Sequence, residues 1–330
     1  MTHAGTGRAQ LLTQSLVAGT GTQLRGVLLY GSHLVGAAPD RHSAHDLVVV
    51  VEDYLGTYRE LRRGGFTHRT PRLMASLAWL LPPNVIAFSP EGADGPIAKC
   101  LIISVRDFER ELSARSRDHF MISRLIQEVG VLYVRDAAAE RWLDDRLKAA
   151  RRTVLDWAAP YVATPFTAEG LTREMIAICY RSEIRPESGS RASSVFEAQR
   201  AYLVETYEKL LADGVGEGHV VRDGHGYRSA RRPGPMARLR RSAYFNLSKL
   251  RVTARWLKHV LTFENWLPYV VRKVERRTGT SVELTALETR LPLIFLWPRL
   301  FRVLRNRPAE EPAAGPAAEP AVGPGSEGDT

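Results

Sequence analysis

Two short apolar runs constrain this chain more than any other feature. Gly26–Tyr30 (GVLLY) and Leu47–Val51 (LVVVV) are shorter than a buried helix needs, are bounded by polar turns, and read as buried strands. The first runs straight into Gly31-Ser32. A polar loop follows, and Asp46 then leads into the second run. A glycine that allows close backbone approach, a hydroxyl donor and a carboxylate therefore sit at neighbouring strand ends. Such a trio can hold an anion and the hard cation that accompanies it. The same residues also fit a plain strand–turn–strand with a surface aspartate.

The flanking sequence extends this pattern. Gln10–Ala18, Tyr54–Arg63, Pro71–Leu81, Val105–Ala114 and Arg117–Gln127 have helical character, and Pro82-Pro83 stops the third of these. Val85–Phe88, Ile97–Ser104 and Val129–Val134 read as further strands around a strongly apolar sheet. Beyond them, Ala137–Ala159, Thr167–Tyr180 and Ser193–Leu211 are expected as amphipathic helices, with Thr167 as a start signal. Gly214–Gly226 is glycine-rich and reads as a hairpin or loop, and Arg231–Pro235 as a linker. Phe245–Phe263, Trp266–Arg277 and Leu291–Arg305 combine apolar and basic residues. The Pro/Ala/Gly/Glu composition from Pro308 onward predicts disorder.

Charge is distributed unevenly. The net charge is +10, from 46 Lys and Arg against 36 Asp and Glu, and the excess lies within Arg228–Arg307. An anionic partner is expected there, either membrane lipid or nucleic acid. Arg238, Arg240, Arg241, Lys249, Arg251, Arg255 and Lys258 read as a basic surface with Tyr244, Phe245 and Trp256 interleaved. The two cysteines, Cys100 and Cys179, sit in apolar surroundings without zinc-type spacing, which suits a reducing cytoplasm. The first residues lack the charged and apolar regions of a secretory signal. No run reaches the ~18 apolar residues of a spanning helix.

The stretch Tyr30–Tyr54 resembles the nucleotidyltransferase superfamily, in which the aspartate holds Mg2+ against triphosphate oxygens bound at the Gly-Ser turn. One feature departs from it: the superfamily's usual Asp-x-Asp pair has Ala44 in place of its first acid. Either another acid completes the site or the domain is inactive.

Further blocks, from Leu28 to Tyr207, resemble the mitochondrial-type phosphatidate cytidylyltransferases, the translocator-assembly-and-maintenance family. That family also carries a single acid after a non-acidic residue, as in His45-Asp46-Leu47-Val48. Its His-containing block is matched by Thr67-His68-Arg69-Thr70, with Arg69 where Tyr is usual, and its Lys-containing strand by Ile97–Ser104. Its Gly-Arg-Leu-x-Lys-Pro-Val block is matched by Ser123–Val129, which keeps Arg124 but has Gln127-Glu128 for Lys-Pro. Its Tyr-x-Gly-Asp-x-Arg block is matched by Tyr180–Arg185, with Ser182 for Gly and Glu183 for Asp.

The resemblance implies an α+β fold. A nucleotidyltransferase-like mixed-sheet domain (1–136) would precede a helical, winged-helix-like domain (137–230), a basic amphipathic region (231–307) and the tail (308–330). It implies a Mg2+-dependent transferase of phospholipid biosynthesis, forming CDP-diacylglycerol and pyrophosphate from CTP, or another NTP, and phosphatidate. Asp46, Lys99 and Glu183 would be catalytic, with Asp46 and Glu183 as metal ligands. Tyr30, Gly31, Ser32, Arg124, His68 and Arg185 would contact the nucleotide. Without the family, Lys99 and Arg124 are surface charges, Glu183 and Arg185 a local pair, and His68 a cap or surface residue.

Members of the family are peripheral membrane enzymes. Phe295, Trp297, Arg299, Phe301 and Arg302 would meet an anionic phospholipid surface on the cytoplasmic face of the membrane. No RNA-binding signature accompanies the basic region, and no DNA partner is expected. The alternatives are a nucleotidyltransferase with a small-molecule, protein or RNA acceptor, and an inactive, nucleotidyltransferase-shaped module that binds membrane. Ala44, Gln127 and Glu128 favour the last.

Overall fold

The two apolar runs lie side by side as strands. The computed structural model describes residues 4–36, 44–90, 95–182 and 190–263. Helix α1 (Ala4–Thr20) leads into β1 (Leu24–Tyr30), the one-turn helix α2 (Ser32–Val35) and β2 (His45–Val51). Helices α3 (Tyr54–Arg63) and α4 (Pro71–Leu80) follow, then β3 (Asn84–Phe88) and β4 (Ala98–Ser104). Next come α5 (Val105–Glu111), the short α6 (Ile122–Leu125) and β5 (Gly130–Val134). The sheet order is β3-β4-β2-β1-β5, with β2 and β4 parallel and the other neighbours antiparallel. The fold is α+β with a mixed five-stranded sheet.

The strands read as unbroken apolar runs because both faces of the sheet are covered. On one face Val27, Leu29, Leu47, Val49, Cys100 and Ile102 pack with Leu12 and Leu16 of α1, Tyr54 and Tyr58 of α3, and Met74 of α4. On the other, Leu28, Val48, Val50, Leu101 and Ile103 are equally buried. Each such side chain contributes roughly 1.5–3 kcal/mol. Helix α5 packs on β2 and β4, and α7 (Ala137–Arg152) packs on β1 and β5. Where β2 leaves the sheet, Asp53 caps α3 by accepting from the Gly56 amide at 2.6 Å, which is typically worth ~1 kcal/mol.

Beyond α7 lie α8 (Val154–Trp157), α9 (Ala168–Arg181), α10 (Ser190–Ala198) and α11 (Arg200–Gly216). A hairpin of β6 (Val220–Asp223) and β7 (Gly226–Ser229) precedes the long helix α12 (Pro235–Thr262). Thr167 caps α9 as expected, accepting from the Gly170 amide at 3.1 Å.

Four helix boundaries differ from the sequence expectation, each for a local reason. Arg117–Gln127 is helical only over α6, because Asp118 binds the Phe120 amide through its own side chain (3.1 Å), a local bond that competes with helix. Ala137–Ala159 breaks at Thr153, whose hydroxyl donates back to the Ala150 carbonyl (2.7 Å). Ser193–Leu211 is two helices separated at Gln199. Its carboxamide leaves the helix axis to bond Gln127 (2.8 Å) and the Glu128 amide (3.1 Å). Finally, α12 begins at Pro235, inside the expected linker. Gly234 precedes it and Pro235 occupies the first turn, where a missing N–H does no harm.

The chain divides into two compact units, Met1–Glu264 and Asn265–Thr330. The described residues all belong to the first. Among them no helix is long and apolar enough to cross a membrane. The expected elements Trp266–Arg277 and Leu291–Arg305, and the tail, lie outside the described residues.

Candidate active site

Strand register brings three of the expected site residues together. Tyr30 pairs with Asp46 across β1 and β2, Asp46 with Lys99 across β2 and β4, and Lys99 with Ala87 across β4 and β3. Residues in register share a face of the sheet. Asp46 and Lys99 are therefore direct neighbours on the face away from α1, α3 and α4. Both are half-buried, and Tyr30 beside them is buried. Asp46 also lies close to Cys100: burial first, and the Asp46 charge second, push that thiol far above its usual range.

Gly31 completes the row. Its backbone has φ +82° and ψ −164°, a region open essentially to glycine alone. A Cβ at this position would stand 3.1 Å from Asp46 Oδ2. The carboxylate thus lies directly against the Gly31 backbone. The Gly31 carbonyl accepts from the Leu34 and Val35 amides at 3.0 and 3.3 Å, which turns the chain into α2 with Ser32 half-buried at the same strand end.

A histidine pair, unremarked in the sequence pattern, fixes this turn from the opposite face. The His33 ring of α2 lies 4.0 Å from the His45 ring of β2. Burial, then the neighbouring His33 and Arg8, lower the His45 pKa to about 4. At neutral pH His45 is uncharged and packs as a flat ring under the Gly-Ser turn.

The remaining expected residues are placed unequally. Arg124 on α6 is half-buried, donates to the Ser123 hydroxyl at 3.2 Å and stacks on Phe120 with its guanidinium carbon 3.7 Å from the ring centroid. His68 is exposed on the α3–α4 connection. That connection is anchored by Phe66, whose ring meets Phe88 at 4.8 Å. Gln127 and Glu128 are joined to Gln199 as described above and serve packing. Glu183 and Arg185 lie outside the described residues, as do Phe295, Trp297, Arg299, Phe301 and Arg302.

Helix α12 corrects one expectation. Arg255 and Lys258 were expected on a basic surface but are 1% and 6% exposed. Arg255 donates to the Pro82 carbonyl (2.6 Å) and pairs with Asp118 (2.8 Å). Arg251 pairs with the same carboxylate at 3.0 Å. Burial opposes ionisation of Asp118, but Arg255, the Phe120 amide and Arg251 together hold its carboxyl below the usual range. Lys258 donates to the carbonyls of Leu81 and, at 2.8 Å, Pro83, and Thr262 donates to the Val85 carbonyl at 2.8 Å. These contacts lay the end of α12 along β3. Arg255 stacks on the same Phe120 ring as Arg124, at 4.4 Å. His259, one turn beyond Arg255, is held in its neutral form by burial, then by the charges of Lys99, Lys258, Arg255 and Arg124. The only sequence signal for this cluster was the spacing 251, 255, 258, 259 and 262, which is one helix face.

Among the described residues no three His, Cys, Asp or Glu side chains converge on one point. Asp46 is the one carboxylate of the row, and Ala44, two residues before it, is buried. This donor set does not suit a metal caged by protein alone. It suits Mg2+, which commonly takes one or two carboxylates and completes its shell with substrate phosphate oxygens and water. No protein-family model and no curated protein sequence matches the chain.

Proposed function

We propose that the protein is a Mg2+-dependent nucleotidyltransferase. The observation that carries this reading is the row Tyr30–Asp46–Lys99 against the Gly31 backbone. It joins a carboxylate, a cation and a side-chain-free approach at one strand end. In phosphoryl-type transfer, positioning and charge neutralisation do most of the work. Asp46 would hold Mg2+, which neutralises triphosphate charge when bound. Gly31 and Ser32 would seat the phosphates. Lys99 would act as a point charge and Arg124 as a planar donor fork.

In its narrower form the reading is a phosphatidate cytidylyltransferase-like enzyme. An oxygen of the lipid phosphate would attack the α-phosphorus of CTP. A P–O bond forms there, the α–β phosphoanhydride bond breaks, and pyrophosphate leaves. The outer face of α12 supports a lipid acceptor. Met236, Leu239, Leu247, Leu250, Leu257 and Leu261 are exposed along it, with Arg238 and Arg240 exposed at its start. That is the composition of a helix lying on anionic lipid, with the protein peripheral on the cytoplasmic membrane face.

The test is incubation of the full chain with CTP, Mg2+ and phosphatidate vesicles. CDP-diacylglycerol formed by the wild type and absent with Asp46→Ala supports the narrow reading. Nucleotide turnover with another acceptor keeps the broad reading and removes the narrow one. Absence of Mg2+-dependent binding of any NTP removes both and leaves the inactive module that buried Ala44 favours.

A further inference from the structure

The inner face of α12 carries more cationic groups than its protein partners satisfy. Arg251 and Arg255 share one carboxylate, Asp118. Glu111, nearby, is already paired with Arg110 at 3.0 Å. Three nitrogens on this face, Arg251 Nη2, Arg255 Nη1 and His259 Nε2, are buried with no hydrogen-bond partner among the described residues. A buried donor left without a partner costs on the order of 1–3 kcal/mol, more when charged. Two of the three belong to guanidinium groups, which can only donate.

Their surroundings identify the missing partner as an anion. Arg255 and Arg124 both stack on Phe120, at 4.4 and 3.7 Å, which fixes two guanidinium planes on one ring. Thr262 ties the end of α12 to Val85 on β3. Two residues further along that strand is Ala87, the register partner of Lys99. His259, between Arg255 and Thr262, is thus held toward the strand end that carries Lys99 and Asp46. We propose that Lys99, Arg124, Arg255 and His259 form one pocket for the phosphate chain of the nucleotide, the part that leaves as pyrophosphate. Helix α12 is then a wall of the nucleotide site. Its outward leucines and its inward cations do different jobs on one helix. The identity of the anion rests on the nucleotidyltransferase reading; the existence of an anion pocket does not.

The experiment is calorimetric titration of the full chain with pyrophosphate, without Mg2+, at fixed ionic strength and neutral pH. Wild type should bind with one site, and His259→Gln and Arg124→Gln should each weaken binding at least ~10-fold, a loss of ~1.4 kcal/mol or more. Arg124 is only half-buried, so its variant remains informative if His259→Gln does not fold. Asp46→Asn should bind metal-free pyrophosphate at least as well as wild type. No binding by wild type, or wild-type affinity in both His259→Gln and Arg124→Gln, overturns the pocket. Pyrophosphate binding that depends on His259 and Arg124 in a protein that turns over no NTP leaves the pocket standing and removes the nucleotidyltransferase reading. Normal nucleotide turnover by folded His259→Gln and Arg124→Gln does the reverse.

Discussion

The central sheet and helix α12 place charge in opposite ways. In the sheet, apolar side chains fill the middle of the strands and charge is confined to their ends, Asp46 and Lys99 at one and Arg25 with Glu52 at the other. In α12 the order is inverted: Arg255 and Lys258 are buried, while Leu239, Leu250 and Leu257 are 63%, 66% and 62% exposed. An ordinary amphipathic helix buries its leucines. The inversion is tolerated because the inward cations find Asp118 and the carbonyls of Pro82, Leu81 and Pro83. A basic helix in sequence is therefore no guide to which of its faces is wet.

The largest effect should come from removing the single acid that holds the inverted face. Asp118→Asn leaves Arg255 buried without its counter-charge, and the expected loss is ~3–5 kcal/mol in urea denaturation. A loss near zero would mean that the inward cations are not held by this pair. The next contrast compares leucines. Leu47→Ala, in the sheet, should cost ~2–5 kcal/mol, whereas Leu250→Ala on the outer face of α12 should stay within about 0.5 kcal/mol and instead weaken sedimentation with anionic vesicles. Gly31→Ala should cost ~1–3 kcal/mol for its backbone region and lower nucleotide affinity through the 3.1 Å approach to Asp46.

A pH dependence tests the sheet end that carries His45. His45 has its folded pKa lowered to about 4 from 6.5. The unfolded chain therefore binds more protons than the folded one between these values, and stability rises with pH across that window. The stability that neutral His45 provides is complete above pH 6.5 and lost as pH falls through about 4. The groups that face it are His33 on α2 and Arg8 on α1. His45→Phe should flatten the melting temperature between pH 6.5 and 4. An unchanged slope would place the titrating group elsewhere.

How much of this was legible follows from how local each signal is. Strands β1 to β5 and helices α3 and α4 follow from short apolar runs and stop signals within a few residues. The Gly31–Asp46 neighbourhood was legible because strand ends next to each other in sequence are next to each other in the sheet. Lys99 was legible only through the family resemblance, since its register with Asp46 depends on a parallel pairing across two helices and β3. The helix breaks at Asp118, Thr153 and Gln199 depend on side chains that bond the backbone or a distant partner, which periodicity does not record. Arg255 reads in sequence as a surface charge because its burial depends on Asp118 and Pro82, more than a hundred residues earlier.

The most direct test of the account is the Mg2+ dependence of binding a non-cleavable CTP analogue with an α,β-methylene bridge. The account predicts that Mg2+ strengthens binding to the wild-type chain, that Asp46→Asn abolishes this Mg2+ effect, and that Lys99→Gln weakens binding with or without metal. Equal affinity in all three proteins, with no response to Mg2+, would contradict a nucleotide site built on the Asp46–Lys99 row.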